Sequence, residues 1–129
     1  MEIALRAALV AWFGADAALR AQLNAVTEEA PSRTALPWLA ISASASADWS
    51  AKEVMGREVR VALELHSRGD QPGSAADLVA AIEARIAALP VSQAVFQVVS
   101  ITFLRSRAEM RAANTRAVLL EYRFRLLAA

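Results

Sequence analysis

"GREVRVALELHSRGDQPGSAADLVAAIEARIAAL", residues 56–89, passes from one periodicity to another within a single stretch. Val59, Val61, Leu63 and Leu65 alternate with Glu58, Arg60, Glu64 and His66, the period-two pattern of a strand with one face in a core and the other charged. Past a turn containing glycine and proline, Leu78, Ile82, Ile86 and Leu89 recur at helical spacing, and Pro90 ends the run. Ser74 followed by Asp77 predicts a capping box at the start of that helix. A half-buried strand followed by an amphipathic helix belongs to folds that lay helices on a sheet.

Reading outward toward the N-terminus, Leu5, Leu9 and Trp12 recur at helical spacing and predict a helix over about 2–13, with Gly14 as its stop. Asp16 stands as an N-cap before a second short helix that turns Leu19 and Leu23 inward. The two prolines of "EEAPSRTALP", 28–37, read as a loop, and "WLAISASA", 38–45, as a small-residue strand. Toward the C-terminus, "AVFQVVSITFLRS" is apolar on both parities from about 94 to 104, which predicts a central strand with both faces at least partly covered. From about 116 to 127, Val118, Leu120, Tyr122, Phe124 and Leu126 alternate with Glu121, Arg123 and Arg125. The expected fold is α+β in the order αββαββ, a four-stranded, mainly antiparallel sheet with helices on one face. Neighbouring placement of the two charged strand faces would pair Glu58, Arg60 and Glu64 with Glu121, Arg123 and Arg125.

A length of 129 residues suits a single domain over 1–129, because one core commonly takes about 100–150 residues. The chain is 57% hydrophobic but only 6% aromatic, and its alanine content favours tight packing over a large ligand cavity. Fourteen basic against thirteen acidic residues leave a net charge of +1, which argues against a DNA-binding domain that works by counterion release. With no cysteine there is no disulfide framework, thiolate nucleophile or cysteine zinc site. Glu2 and Arg6 interrupt the apolar N-terminus, so no signal peptide is expected. Nor does any stretch approach the roughly 20 apolar residues of a membrane span, and no membrane partner is expected.

The turn at 66–74 invites an active-site reading that its chemistry does not support. "GDQPGS" lacks the lysine of a phosphate-binding loop and puts Asp70, together with a proline lacking an amide hydrogen, inside the would-be cradle. Arg68-Gly69-Asp70 carries the letters of an adhesion motif, but glycine beside aspartate is ordinary turn chemistry. His66 is the single histidine and lies on the polar parity, so a surface or interface role is expected and a histidine-based metal site is excluded. Glu28 with Glu29, and Glu58 with Glu64, are the available carboxylate pairs. The first diverges in a loop, and the second is interleaved with arginines on a solvated face. No catalytic, cofactor-binding or metal-binding residue is assigned.

Two segments point instead to protein contacts. "ADWSAKEVMG", 47–56, places Trp49, Val54 and Met55 among loop residues with Lys52, and tryptophan and methionine are enriched in interfaces. "RSRAEMRAANTR", 105–116, reads as a second loop whose Arg105, Arg107, Met110 and Arg111 form a candidate docking patch for an acidic partner surface.

In layout the chain resembles the small tail-completion, or tail-terminator, proteins of long-tailed bacteriophages, prophages and gene transfer agents. The likeness is carried by "ALRAALVAWFGADAALRAQL", "LPWLAI", "DWSAKEVMGREVRVALELHSR", "LVAAIEARIAAL" and "TRAVLLEYRFRLL", which together span nearly the whole chain. Its most specific pieces are Leu36-Pro37-Trp38, Asp48-Trp49-Ser50 with Lys52, and the strand–loop–helix unit after Gly56. The family often has an aromatic residue where this chain has His66.

The resemblance implies a non-enzymatic structural protein of the virion, assembled in the bacterial cytoplasm. It implies a ring, with a hexamer expected, on the head-proximal end of the tail tube, ending polymerisation and facing the neck. Implied partners are further copies of the chain, the tail tube protein and a neck or stopper protein, with DNA passing through the pore without sequence-specific binding. Another head–tail joining component, such as a stopper, and a small-ligand-binding α+β domain are the alternative readings.

Overall fold

The computed structural model describes residues 1–129 and contains three helices and five strands. In chain order these are α1 (Glu2–Gly14), α2 (Ala17–Gln22), β1 (Val26–Thr27), β2 (Trp38–Asp48), β3 (Gly56–Arg68), α3 (Pro72–Ala87), β4 (Phe96–Arg111) and β5 (Thr115–Ala128). The sheet runs β1-β2-β3-β5-β4 and is antiparallel except at β1, which pairs in parallel with Leu39 and Ala40 of β2. This is the expected α+β architecture with one additional strand. Two residues are too short to leave a periodicity, so β1 has no signature of its own in the sequence.

One face of the sheet is the core. Val59, Val61, Leu63 and Leu65 of β3 stand directly beside Phe124, Tyr122, Leu120 and Val118 of β5, and nearly all are shut off from solvent. Leu5, Leu9 and Phe13 from α1, Leu19 from α2, and Leu78, Ile82 and Ile86 from α3 join the same cluster. The buried stripe of α1 ends on Phe13, one residue past the expected Trp12. Trp12 sits at the seam with α3 instead. There its indole Nε1 donates to the Arg85 carbonyl at 2.7 Å, while the Arg85 guanidinium lies 3.3 Å from the ring centroid and donates back to the Trp12 carbonyl. As expected, the Asp16 carboxylate caps α2 by accepting from the amides of Ala18 and Leu19.

Three expectations are corrected. Helix α3 starts at Pro72 behind Gln71, with no side-chain cap, so Ser74 lies inside the first turn and forms no capping box with Asp77. A proline at the first turn presets φ and lacks one amide that would need a partner, which suffices to start the helix. Strand β4 is an edge strand and not a central one. Its register shifts between Val98 and Ser100 and again between Phe103 and Arg105, and each bulge reverses the parity of the residues beyond it. Apolar residues on both parities therefore reflect two bulges, and Val99 and Phe103 are exposed. Finally, 105–111 is strand: β4 and β5 form one long hairpin turning at 112–114, where Ala113 and Asn114 take positive φ.

Candidate functional site

The sheet face opposite the helices is largely polar and open, except at one end, where Trp38, Ala40, His66 and Ala117 are buried. Glu58, Arg60 and Glu64 of β3, Glu121, Arg123 and Arg125 of β5, and Arg105, Arg107, Glu109 and Arg111 of β4 share this face by register. The charged strands β3 and β5 are neighbours as expected, but only part of the expected pairing is formed. Glu58 stands opposite Arg125, at 3.6 Å between carboxylate and Nε. Arg60 stands opposite Arg123, so two like charges face each other, while Glu121 and Glu64 lie opposite Ala62 and Leu119. Both of those glutamates find their arginines on β4.

Arg105 grips the Glu121 carboxylate with two hydrogen bonds, at 2.9 and 3.0 Å, and these hold the Glu121 carboxyl below its ordinary pKa. Arg111 donates to Glu64 at 2.9 Å and to Glu109 at 2.9 and 3.1 Å. Burial alone would raise the pKa of Glu64. A 2.9 Å hydrogen bond with His66 and the nearby Arg111 outweigh it, and the net shift is downward. The candidate docking residues Arg105 and Arg111 are thus engaged within the sheet, Arg107 reaches Glu109 only at 4.0 Å, and Met110 is exposed.

His66 departs from its expected surface position. It is 8% exposed and its ring stacks on Trp38 of β2, with centroids 3.9 Å apart and planes at 11°. The flat ring packs as an aromatic side chain would, directly across the strand pair from Trp38. The turn after β3 commits its backbone internally. Gly69 donates to the Asn114 carbonyl at 2.7 Å, its own carbonyl accepts from Arg116, and Gln71 donates to the Arg68 carbonyl. Those groups tie β3 to the β4–β5 turn.

At the other end of the sheet, 49–55 is a closed hairpin tip and not a long loop. Ala51 and Val54 bridge, the Trp49 amide donates to Gly56, and the Ser50 hydroxyl bonds Asp48 at 2.6 Å while receiving the Gly56 amide at 3.0 Å. Gly56 is required here, because a Cβ would run into the Trp49 carbonyl and lie 3.0 Å from that of Leu126. Among the candidate interface residues, Lys52, Val54 and Met55 face solvent, with Met55 67% and Val54 39% exposed. Trp49 lies half-buried against the sheet, its ring 5.5 Å from the Arg125 guanidinium. The tip and the β4 arginines are separate surfaces.

An exposed sheet edge is expected to share the ring contacts with the 49–55 segment, but which strands form the edges is fixed only by the strand order. On β2 only Leu39 and Ala40 are paired on the outer side, by β1, which leaves 43–48, "ASASAD", with an open backbone edge. That run carries no charge before Asp48, no proline and no bulge beyond Ser42. On the far side β4 carries its two bulges and then a regular, arginine-rich stretch to Arg111.

Among known families, residues 7–127 match the model of the tail completion protein gp17 family. The chain belongs to this family. Tail completion proteins are structural proteins of the virion tail, and the assignment places this chain among them. A chain from the virion of a native gene transfer agent particle shares the fold of this tail completion protein, with a TM-score of 0.79 and 22% identity. The match covers 96% of this chain and 95% of that one. No individually curated protein matches closely enough to count as a relative.

Proposed function

We propose that this tail completion protein, as one domain over 1–129, forms a closed ring on the head-proximal end of the tail tube, stops tube polymerisation and presents a surface to the neck. The observation that carries the reading is the pair of unlike open sheet edges on opposite sides of the subunit, 43–48 of β2 and 105–111 of β4. Edges are ordinarily blunted by charge, proline or bulges, and the β2 run has none of these before Asp48. Two different edges favour head-to-tail contacts, which close into rings where the rotation allows, and a hexamer is the stoichiometry proposed. The exposed tip residues Lys52, Val54 and Met55, backed by Trp49, lie at the end of β2 and extend the same subunit contact. Arg105, Arg107, Met110 and Arg111 belong to the β4 side and to the tube or neck surface.

A net charge of +1 supports a pore that lets DNA slide without gripping it. The likeness to a gene transfer agent chain supports a phage, prophage or gene transfer agent particle as the setting. Electron microscopy of the purified protein mixed with tail tubes of the same particle tests the proposal. A closed ring at one tube end supports it. Tubes left bare while the protein binds isolated neck complexes would move it to the joining side, and binding to neither would overturn both.

A further inference from the structure

Charge on the open sheet face is unevenly spent. Each of its glutamates is held by an arginine: Glu58 by Arg125, Glu64 and Glu109 by Arg111, and Glu121 by Arg105. What remains is Arg107, 4.0 Å from a Glu109 already held by Arg111, and a facing pair of arginines in the middle of the sheet. Arg123 has no carboxylate within ion-pair distance, and its Nε is buried without a hydrogen-bond partner. Directly across the strand pair, Arg60 has only Glu58 at 4.0 Å, a carboxylate already shared with Arg125, and its side chain is 66% exposed. Like charges placed opposite each other destabilise a sheet, and a guanidinium Nε without an acceptor adds to that cost. Beside this pair Ala43, Ala45 and Ala62 form the floor of a shallow depression rimmed by Arg60, Leu104 and Glu121.

We propose that Arg60 and Arg123 form the anchor of a docking face for an acidic side chain of another virion protein, whose carboxylate sits between the two guanidiniums while its backbone lies over the alanine floor. A carboxylate matches a planar guanidinium with paired hydrogen bonds and removes the opposition of the two charges. Nucleic acid fits less well. A duplex carries one charge about every 1.7 Å of its axis, and phosphates beyond the central pair would meet Glu58 and Glu121 on either side. The inference rests on the proposed function only in taking the partner from the same particle.

The test uses full-length protein with nitrogen-15 arginine, in which the R60Q and R123Q variants assign the two Nε–H resonances. A blocked peptide with one glutamate between alanines and a short DNA duplex serve as separate probes at low salt. The expected result is that the peptide shifts the Arg60 and Arg123 resonances ahead of those of Arg105 and Arg111. Either variant should weaken peptide binding about fivefold, and R20Q, which removes an exposed charge from α2, should leave it unchanged. Equal weakening by R20Q, a response confined to Arg105 and Arg111, or a duplex that displaces the peptide from Arg60 and Arg123 would each overturn the proposal. Should R123Q fail to fold, R123K and R60Q carry the same comparison.

Tube capping separates this inference from the proposed function. If wild type and R60Q/R123Q cap tubes alike with the same salt dependence, and wild type does not bind the peptide at this pair, the docking face falls and the ring stands. If the peptide response is present and no tube is capped, the ring falls and the docking face stands.

Discussion

The two faces of β3 and β5 are built on the same backbone ladder and obey different rules. On the helix side, Val59–Phe124, Val61–Tyr122, Leu63–Leu120 and Leu65–Val118 all end up dry, whichever residue of one strand meets which of the other. On the open side identity matters pair by pair: Glu58 meets Arg125 and forms an ion pair at 3.6 Å, whereas one row along Arg60 meets Arg123, a like charge. Hydrophobic burial depends on area and has no direction, so alternation alone secures it. Exposed charge pairs depend on partner and distance, contribute little to stability, and are free to be arranged for recognition.

Truncation of Phe124 to alanine should break the comparison most visibly. The ring is fully buried, and its loss is expected to cost about 3–5 kcal/mol in denaturant unfolding. Next in size is Gly56→Ala, which forces a Cβ against the Trp49 carbonyl and should cost about 1–3 kcal/mol. Gly73→Ala, with nothing within 4 Å of the added carbon in the first turn of α3, should instead stabilise by about 0.4–1 kcal/mol. A thermal scan in which both glycines behave alike would sink this distinction between close approach and open helix surface.

Effects on the open face should be smaller. Glu58→Gln is expected to cost less than about 1 kcal/mol, and Arg60→Gln to be neutral or slightly stabilising because it relieves the opposition with Arg123. Loss of stability in Arg60→Gln comparable to that of Phe124→Ala would refute the contrast between the faces.

The smallest effect sharpens the contrast through pH. The folded-state pKa of Glu64 is depressed, so its contribution is present above the ordinary value of 4.5 and fades as pH falls through the lower folded value. Glu64→Gln should accordingly lose stability at neutral pH and show a flatter acid limb than wild type, measured by urea unfolding from pH 7 downward. Parallel curves would contradict the shift. At the alkaline end, burial pushes Tyr122 up to about 12, so stability should decline as pH rises above 10 and the phenol is forced to ionise.

Residues 56–89 alone settled one strand, one helix and with them a mixed α and β fold, since a change from period two to helical spacing survives in any tertiary context that buries one face of each element. The inward set of β5, the Asp16 cap and the likeness to tail completion proteins were likewise legible, because each rests on local spacing or on order along the chain. Features that depend on which strand lies beside which were not. Two bulges disguised the edge strand β4 as a central one and hid the continuation of strand structure through Arg111. His66 on a polar parity found Trp38 only through the pairing of β2 with β3. The meeting of Arg60 with Arg123 is fixed by the unbroken β3–β5 register, which sets the apolar residues of both strands on one buried face. Alternation states which residues point outward, and only the assembled sheet decides whom they face.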